Sequence, residues 1–166
     1  MKIVTERLTL VPCSLEILRL IDSNLLELEN LLNVKIPEGW PAKDLIDIIS
    51  VFIEDIADDS TFLGWYVWMI INNQMNRVVG DIGFLGKSDD KGSVEIGYAI
   101  VPEFRQQGYA TEAVKGLLGW VFGHPEVKRV LAHCSEDNEA SIRVVEKAGF
   151  RRVAKNGELF EFTVIK

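Results

Sequence analysis

From Glu6 to Val11 polar and apolar residues alternate until Pro12 stops the run, which predicts a short opening strand. Ser14 then reads as a helix N-cap, because Leu18, Ile21, Leu25, Leu28 and Leu32 recur every three or four positions along one face of a long amphipathic helix. The segment Pro37-Glu38-Gly39-Trp40-Pro41 breaks that rhythm. A second helix follows, with Leu45, Ile48, Ile49, Phe52 and Ile56 inward and Asp47, Glu54, Asp55 and Asp58 outward. At Trp65 the period shortens: WYVWMII is dense in aromatic and β-branched residues, and Asn72, Asn73 and Asn76 turn the chain into RVVGDIGFL, an expected antiparallel hairpin. Between Val94 and Ile100 the residues Val94, Ile96, Tyr98 and Ile100 share one face, while Glu95, Gly97 and Ala99 leave the other nearly bare. Beyond Pro102 a glycine-bearing loop opens a helix that turns Ala113, Val114, Leu117, Leu118 and Val121 inward. KRVLAHC reads as a buried strand, Asn138 to Ala148 as a helix closed by Gly149, and Asn156-Gly157 as the turn of a terminal hairpin.

This order predicts one domain over residues 1–166, of α/β (α+β) class: a mixed, mostly antiparallel sheet covered by helices. Parallel pairing is expected inside the strand-helix-strand unit from Val94 to Cys134. A composition of 48% hydrophobic and 26% charged residues excludes disorder as the main state. With 18 basic against 25 acidic residues the net charge is −7, which argues against nucleic acid or an anionic membrane as a partner. Two cysteines, the absence of a signal-peptide pattern and the lack of a membrane-length apolar run point to a soluble protein of the reducing cytoplasm.

Chemistry concentrates where a strand meets a helix, in V-P-E-F-R-Q-Q-G-Y-A-T from Val101 to Thr111. A glycine there leaves backbone N–H groups free at the positive end of a helix dipole, a natural seat for phosphate, although Gly108 also serves any tight turn. Gly86-Lys87-Ser88 is no P-loop, since Asp81 stands where its first glycine would fall and no helix follows. His133 and Cys134 are strand neighbours facing opposite ways and His124 sits in a loop, so no metal-ligand spacing emerges. At strand spacing Trp65, Tyr66 and Trp68 read as core, with an acceptor wall as the alternative; Trp40, on an irregular segment, is harder to explain by packing.

The run Arg105-x-x-Gly108-x-Ala110 resembles the acetyl-CoA pyrophosphate loop of the GNAT superfamily of N-acetyltransferases. The segments E-I-G-Y-A-I-V-P (Glu95 to Pro102), G-Y-A-T-E-A (Gly108 to Ala113), N-E-A-S (Asn138 to Ser141), K-A-G-F (Lys147 to Phe150) and the opening T-E-R-L-T-L (Thr5 to Leu10) resemble its RimJ/RimL-like branch. The resemblance implies a splayed sheet with the cofactor's pantetheine in the gap. It also implies binding of acetyl-CoA by Tyr98, Ala99, Ile100, Arg105, Gln106, Gln107, Gly108, Tyr109, Ala110, Thr111 and Asn138, without a metal. Glu95 is the expected general base, or else a plain surface carboxylate. Ser141, lying near the sulfur, is the expected proton donor to the thiolate; its place on a first helical turn, like that of Asn138 at an N-cap, also has a purely structural reading. The implied activity is direct acetyl transfer to a primary amine of a protein, peptide or small molecule, by a monomer or homodimer. A non-catalytic acyl-CoA sensor is the alternative.

Overall fold

A computed structural model describes residues 1–166. The opening alternation forms β2 (Leu8–Pro12), on which Leu8 and Leu10 are fully buried, preceded by a two-residue edge strand β1 (Ile3–Val4). The long first helix is instead two, α1 (Leu15–Ser23) and α2 (Leu25–Leu32). Asn24 divides them: its N–H donates to the carbonyl of Leu20, ending one helix, and its side chain accepts the N–H of Glu27, starting the next. The apolar stripe runs through the break, so periodicity does not reveal it. In α3 (Lys43–Asp58) Leu45, Ile49, Phe52 and Ile56 are buried as expected, whereas Ile48 is 37% exposed on the wall of a cleft. Asp55, expected outward, accepts the Tyr66 hydroxyl.

The strands β3 (Val67–Asn72), β4 (Arg77–Phe84), β5 (Ser93–Ile100), β6 (Arg129–Ser135), β7 (Arg151–Asn156) and β8 (Leu159–Ile165) complete an eight-stranded sheet of order β1-β2-β3-β4-β5-β6-β8-β7. Every pairing is antiparallel except β5 with β6, joined by the crossover helix α4 (Tyr109–Val121) as the strand-helix-strand pattern requires. The helix α5 (Glu139–Lys147) ends at Gly149, whose φ of +100° suits glycine, and Asn156-Gly157 turns the last hairpin. On one face of the sheet Trp120 of α4 packs its ring against Trp65, Trp68 and Phe84. α3 covers the other face, opposite Gly83, Gly97 and Ala99. No helix is long and apolar enough to cross a membrane.

The β5–β6 pairing lasts only from Ser93↔Arg129 to Glu95↔Leu131, while β4 stays with β5 to Gly80↔Ile100 and β6 stays with β8 to Ser135↔Leu159. Past Glu95 the sheet divides. Each half keeps its outer partner, and a wedge opens between Ile96–Ile100 and the end of β6.

Close backbone approach beside the wedge makes one glycine structural and leaves its neighbour free. A Cβ at Gly83 would lie 2.0 Å from the carbonyl oxygen of Tyr66, whereas one at Gly97, directly across on β5, meets nothing within 4 Å. Gly83→Ala should therefore cost more than about 2 kcal/mol in urea unfolding, and Gly97→Ala less than about 0.5 kcal/mol.

Candidate active site

Register decides which backbone groups of β5 face the wedge. The Leu85 N–H donates to Glu95 and the Val101 N–H to Val79, so by antiparallel alternation residues 95, 97, 99 and 101 bond β4. Tyr98 and Ile100 turn their backbone groups the other way, where β6 no longer stands. The Ile100 carbonyl is taken by the Arg105 Nε–H at 3.0 Å, and the N–H groups of Tyr98 and Ile100 stay open. Ala99, among the residues expected to bind the cofactor, pairs with Asp81 on β4 and turns its methyl toward the α3 side.

The wedge runs into the predicted loop. After a single 3-10 turn, Pro102–Phe104, Gln106 and Gly108 both adopt positive φ, +60° and +82°. Gly108 is the N-cap of α4 and no side chain caps it, so the N–H groups of Tyr109, Ala110 and Thr111 point into open space. The side chains of Arg105, Gln106 and Gln107 are exposed around them. The Tyr109 ring is buried and hydrogen-bonded by Asn72 at 3.1 Å, which leaves this residue only its N–H to offer. Three residues absent from the sequence-based site brace the loop. Arg7 donates to the Gln107 carbonyl (2.8 Å), pairs with Glu112 (2.7 Å) and lies over the Tyr109 ring. Glu112 also accepts the Thr5 hydroxyl at 2.6 Å. Burial pushes the Glu112 carboxyl up, but these donors outweigh it and hold it below the usual range. No spacing in the sequence links positions more than a hundred residues apart.

Across the wedge, Asn138 caps α5: its side chain accepts the Ser141 N–H at 3.1 Å. Ser141 Oγ lies 2.9 Å from the Tyr98 hydroxyl and 3.4 Å from Cys134 Sγ. β5, β6 and α5 thus meet in one group of polar side chains, with the Tyr98 hydroxyl pushed up to about 12 by burial against the opposing hydrogen bond from Ser141. α5 itself carries no tyrosine, and the phenol beside Ser141 comes from β5.

Glu95 is not a free carboxylate. Its Oε1 lies 2.7 Å from His133 Nδ1, and His133 Nε2 lies 3.2 Å from Glu161, directly opposite on β8. Partial burial pulls the imidazole pKa down, but the two carboxylates reverse this and raise it overall. As the alternation requires, His133 faces Glu95 and Cys134 faces Ser141.

The α3 face of the wedge holds a cleft of about 230 Å³ whose walls include Leu45, Ile48, Phe52, Gly97 and Ala99. Tyr66 lines it, while Trp65 and Trp68 are core. At its floor is Asp81, which accepts the buried Trp40 indole N–H at 2.8 Å. That bond accounts for Trp40, which the sequence marks out on its irregular segment, whereas nothing in the sequence marks Asp81 as a site residue.

Residues 7–151 match the acetyltransferase (GNAT) domain family. The chain is 34% identical over 119 residues to the uncharacterized N-acetyltransferase YjdG of Bacillus subtilis, covering 72% of this chain and 71% of that one. The fold resembles that of RimL, a ribosomal L7/L12 alpha-N-protein acetyltransferase in complex with coenzyme A, with a TM-score of 0.68 at 18% identity over 99% of this chain and 98% of that one. It resembles as well a chimera of the spermidine N-acetyltransferase SpeG from Vibrio cholerae and hSSAT, with a TM-score of 0.66 at 16% identity over 96% of each chain. With the family match running from β2 through the wedge and the loop to the end of α5, the chain belongs to the GNAT family of acetyltransferases.

Proposed function

We propose that this chain transfers the acetyl group of acetyl-CoA directly to a primary amine, with the thioester substrate lying along the open edge of β5 and its pyrophosphate at the N-terminus of α4. The observation that carries this reading is continuity: the unpaired N–H groups of Tyr98 and Ile100 lead straight to the uncapped first turn behind Gly108. An extended pantetheine arm can bond the first as a strand would, and the helix end favours the anionic diphosphate. A Tyr98 or Ile100 N–H is also placed to polarise the thioester carbonyl and to hold the negative charge that grows on its oxygen. The Tyr98 and Ser141 hydroxyls stand on the α5 side to protonate the departing sulfur. A thiolate leaves readily at its ordinary pKa of about 8.5, so a weak acid is enough.

The family match and the YjdG relative support acyl transfer to nitrogen, while the likenesses in fold to RimL and the spermidine enzyme, with TM-scores of 0.68 and 0.66, favour neither acceptor. A RimJ/RimL-like branch therefore rests on the sequence segments alone. Release of free thiol from acetyl-CoA only when an amine is present tests the reading, and binding of CoA without such release would favour a sensor.

Gly108→Val places a branched side chain at φ +82°, 3.2 Å from an Arg7 nitrogen at the Cβ alone, and should weaken CoA binding at least tenfold, about 1.4 kcal/mol, by calorimetry. Ser141→Ala should lower turnover by less than about a hundredfold with CoA affinity intact, because the Tyr98 hydroxyl remains.

A further inference from the structure

Asp81 sits in the middle of β4 and is 9% exposed, an unusual place for a carboxylate. Trp40 bonds one of its oxygens, and no group of the protein bonds the other. Every titratable neighbour is neutral or anionic: the Cys13 thiol just after β2, Asp44 at the start of α3, Tyr66 before β3 and Tyr98 on β5. No lysine, arginine or histidine lines the cleft. Burial lifts the Asp81 pKa to about 6 against the opposing Trp40 bond. Such a group weakens the fold whenever it is charged, so its natural counter-charge is a ligand's. Asp81 is also paired directly with Ala99, between the two β5 residues whose N–H groups face the wedge. Glu95, by contrast, already has a partner in His133.

We propose that Asp81 is the acceptor-side base: it receives the ammonium of a small primary amine whose apolar body fills the cleft under α3, and takes a proton from the nitrogen. This rests on the acetyl-transfer reading above. One nitrogen proton passes to Asp81, freeing the lone pair that attacks the acetyl carbon. The second, shed as the nitrogen–carbon bond forms, balances the proton taken up by sulfur as the carbon–sulfur bond breaks. A carboxylate titrating near 6 is charged at neutral pH and more basic than an ordinary one. The walls choose the substrate. Leu45, Ile48, Phe52 and Ala99 offer apolar contact in about 230 Å³, room for an arylalkyl or short alkyl group and not for a hydrated polycation. Glu95 becomes a positioning residue, which through His133 holds the point where the sheet divides.

The test compares wild type, Asp81→Asn and Glu95→Gln with 2-phenylethylamine and with spermidine as acceptors, reading thiol release, CoA binding by calorimetry and thermal melting. For Asp81→Asn we expect unchanged CoA affinity, a loss of kcat/KM of at least about a hundredfold, and disappearance of the inflection near pH 6. Folding raises the Asp81 pKa from its ordinary 3.8, so the folded state loses stability as pH rises between 3.8 and about 6. Asp81→Asn should therefore melt higher than wild type at pH 8, by a gap that narrows toward pH 5. Glu95→Gln should lose under about tenfold and keep the inflection. An unchanged rate and pH profile in Asp81→Asn, a lower melting temperature at pH 8, or a larger loss in Glu95→Gln would overturn the assignment of the base. Spermidine preferred to 2-phenylethylamine would overturn the apolar acceptor while leaving the Asp81 variant to be judged on spermidine. Wild-type protein that binds no CoA, or releases no thiol with either amine, would overturn the acetyl-transfer reading itself and this proposal with it.

Discussion

Opening a β-sheet exposes a row of backbone donors and acceptors, and those groups must bond something else or carry the cost of standing unpaired. In this chain the separation of β5 from β6 after Glu95 imposes that requirement, and the surrounding structure answers it one group at a time. Arg105 takes the Ile100 carbonyl. The Tyr98 hydroxyl reaches over the gap to Ser141, which in turn touches Cys134. At the closed end the Glu95–His133–Glu161 chain ties β5, β6 and β8 together where the pairing stops. The donors left over are two N–H groups in a line, and a ligand strand fits them.

The same division separates two kinds of chemistry. On the α4 and α5 side lie the uncapped helix end, the braced loop and the paired hydroxyls, which the proposed function assigns to the acyl donor and its sulfur. Arg7 and Glu112 fix that loop from the other end of the chain, so the N-terminal strand and the helix end are one mechanical unit. On the α3 side an apolar cleft ends in a buried carboxylate held by Trp40. The two sides meet only at the thin strand of Gly97 and Ala99, where the proposed function has donor and acceptor approach each other.

Much of this could be read from residue order. Alternation found the strands, 3.6-residue spacing found the helices, and the parallel pairing of β5 with β6 followed from the crossover between them. The segment around Gly108 located the loop because a glycine that opens a helix has a local physical signature. Other features had no local signature. Asn24 splits a helix whose apolar stripe continues unbroken, and β5 alternates in the same way whether or not β6 accompanies it. Glu95 looked free because the sequence does not bring His133 beside it, and the Tyr98 hydroxyl was hidden in a core-facing position. Nothing local marks Asp81 as buried; the placement of α3 and Trp40 above it does that.

Amide hydrogen exchange resolved by residue tests the central claim most directly, since it reads the open edge of β5 itself. Addition of CoA should slow exchange at the N–H groups of Tyr98 and Ile100, which face the wedge. It should leave Gly97 and Ala99 little changed, because β4 already bonds them. Protection that falls equally on all four, or that spares Tyr98 and Ile100 while CoA is bound, would contradict it.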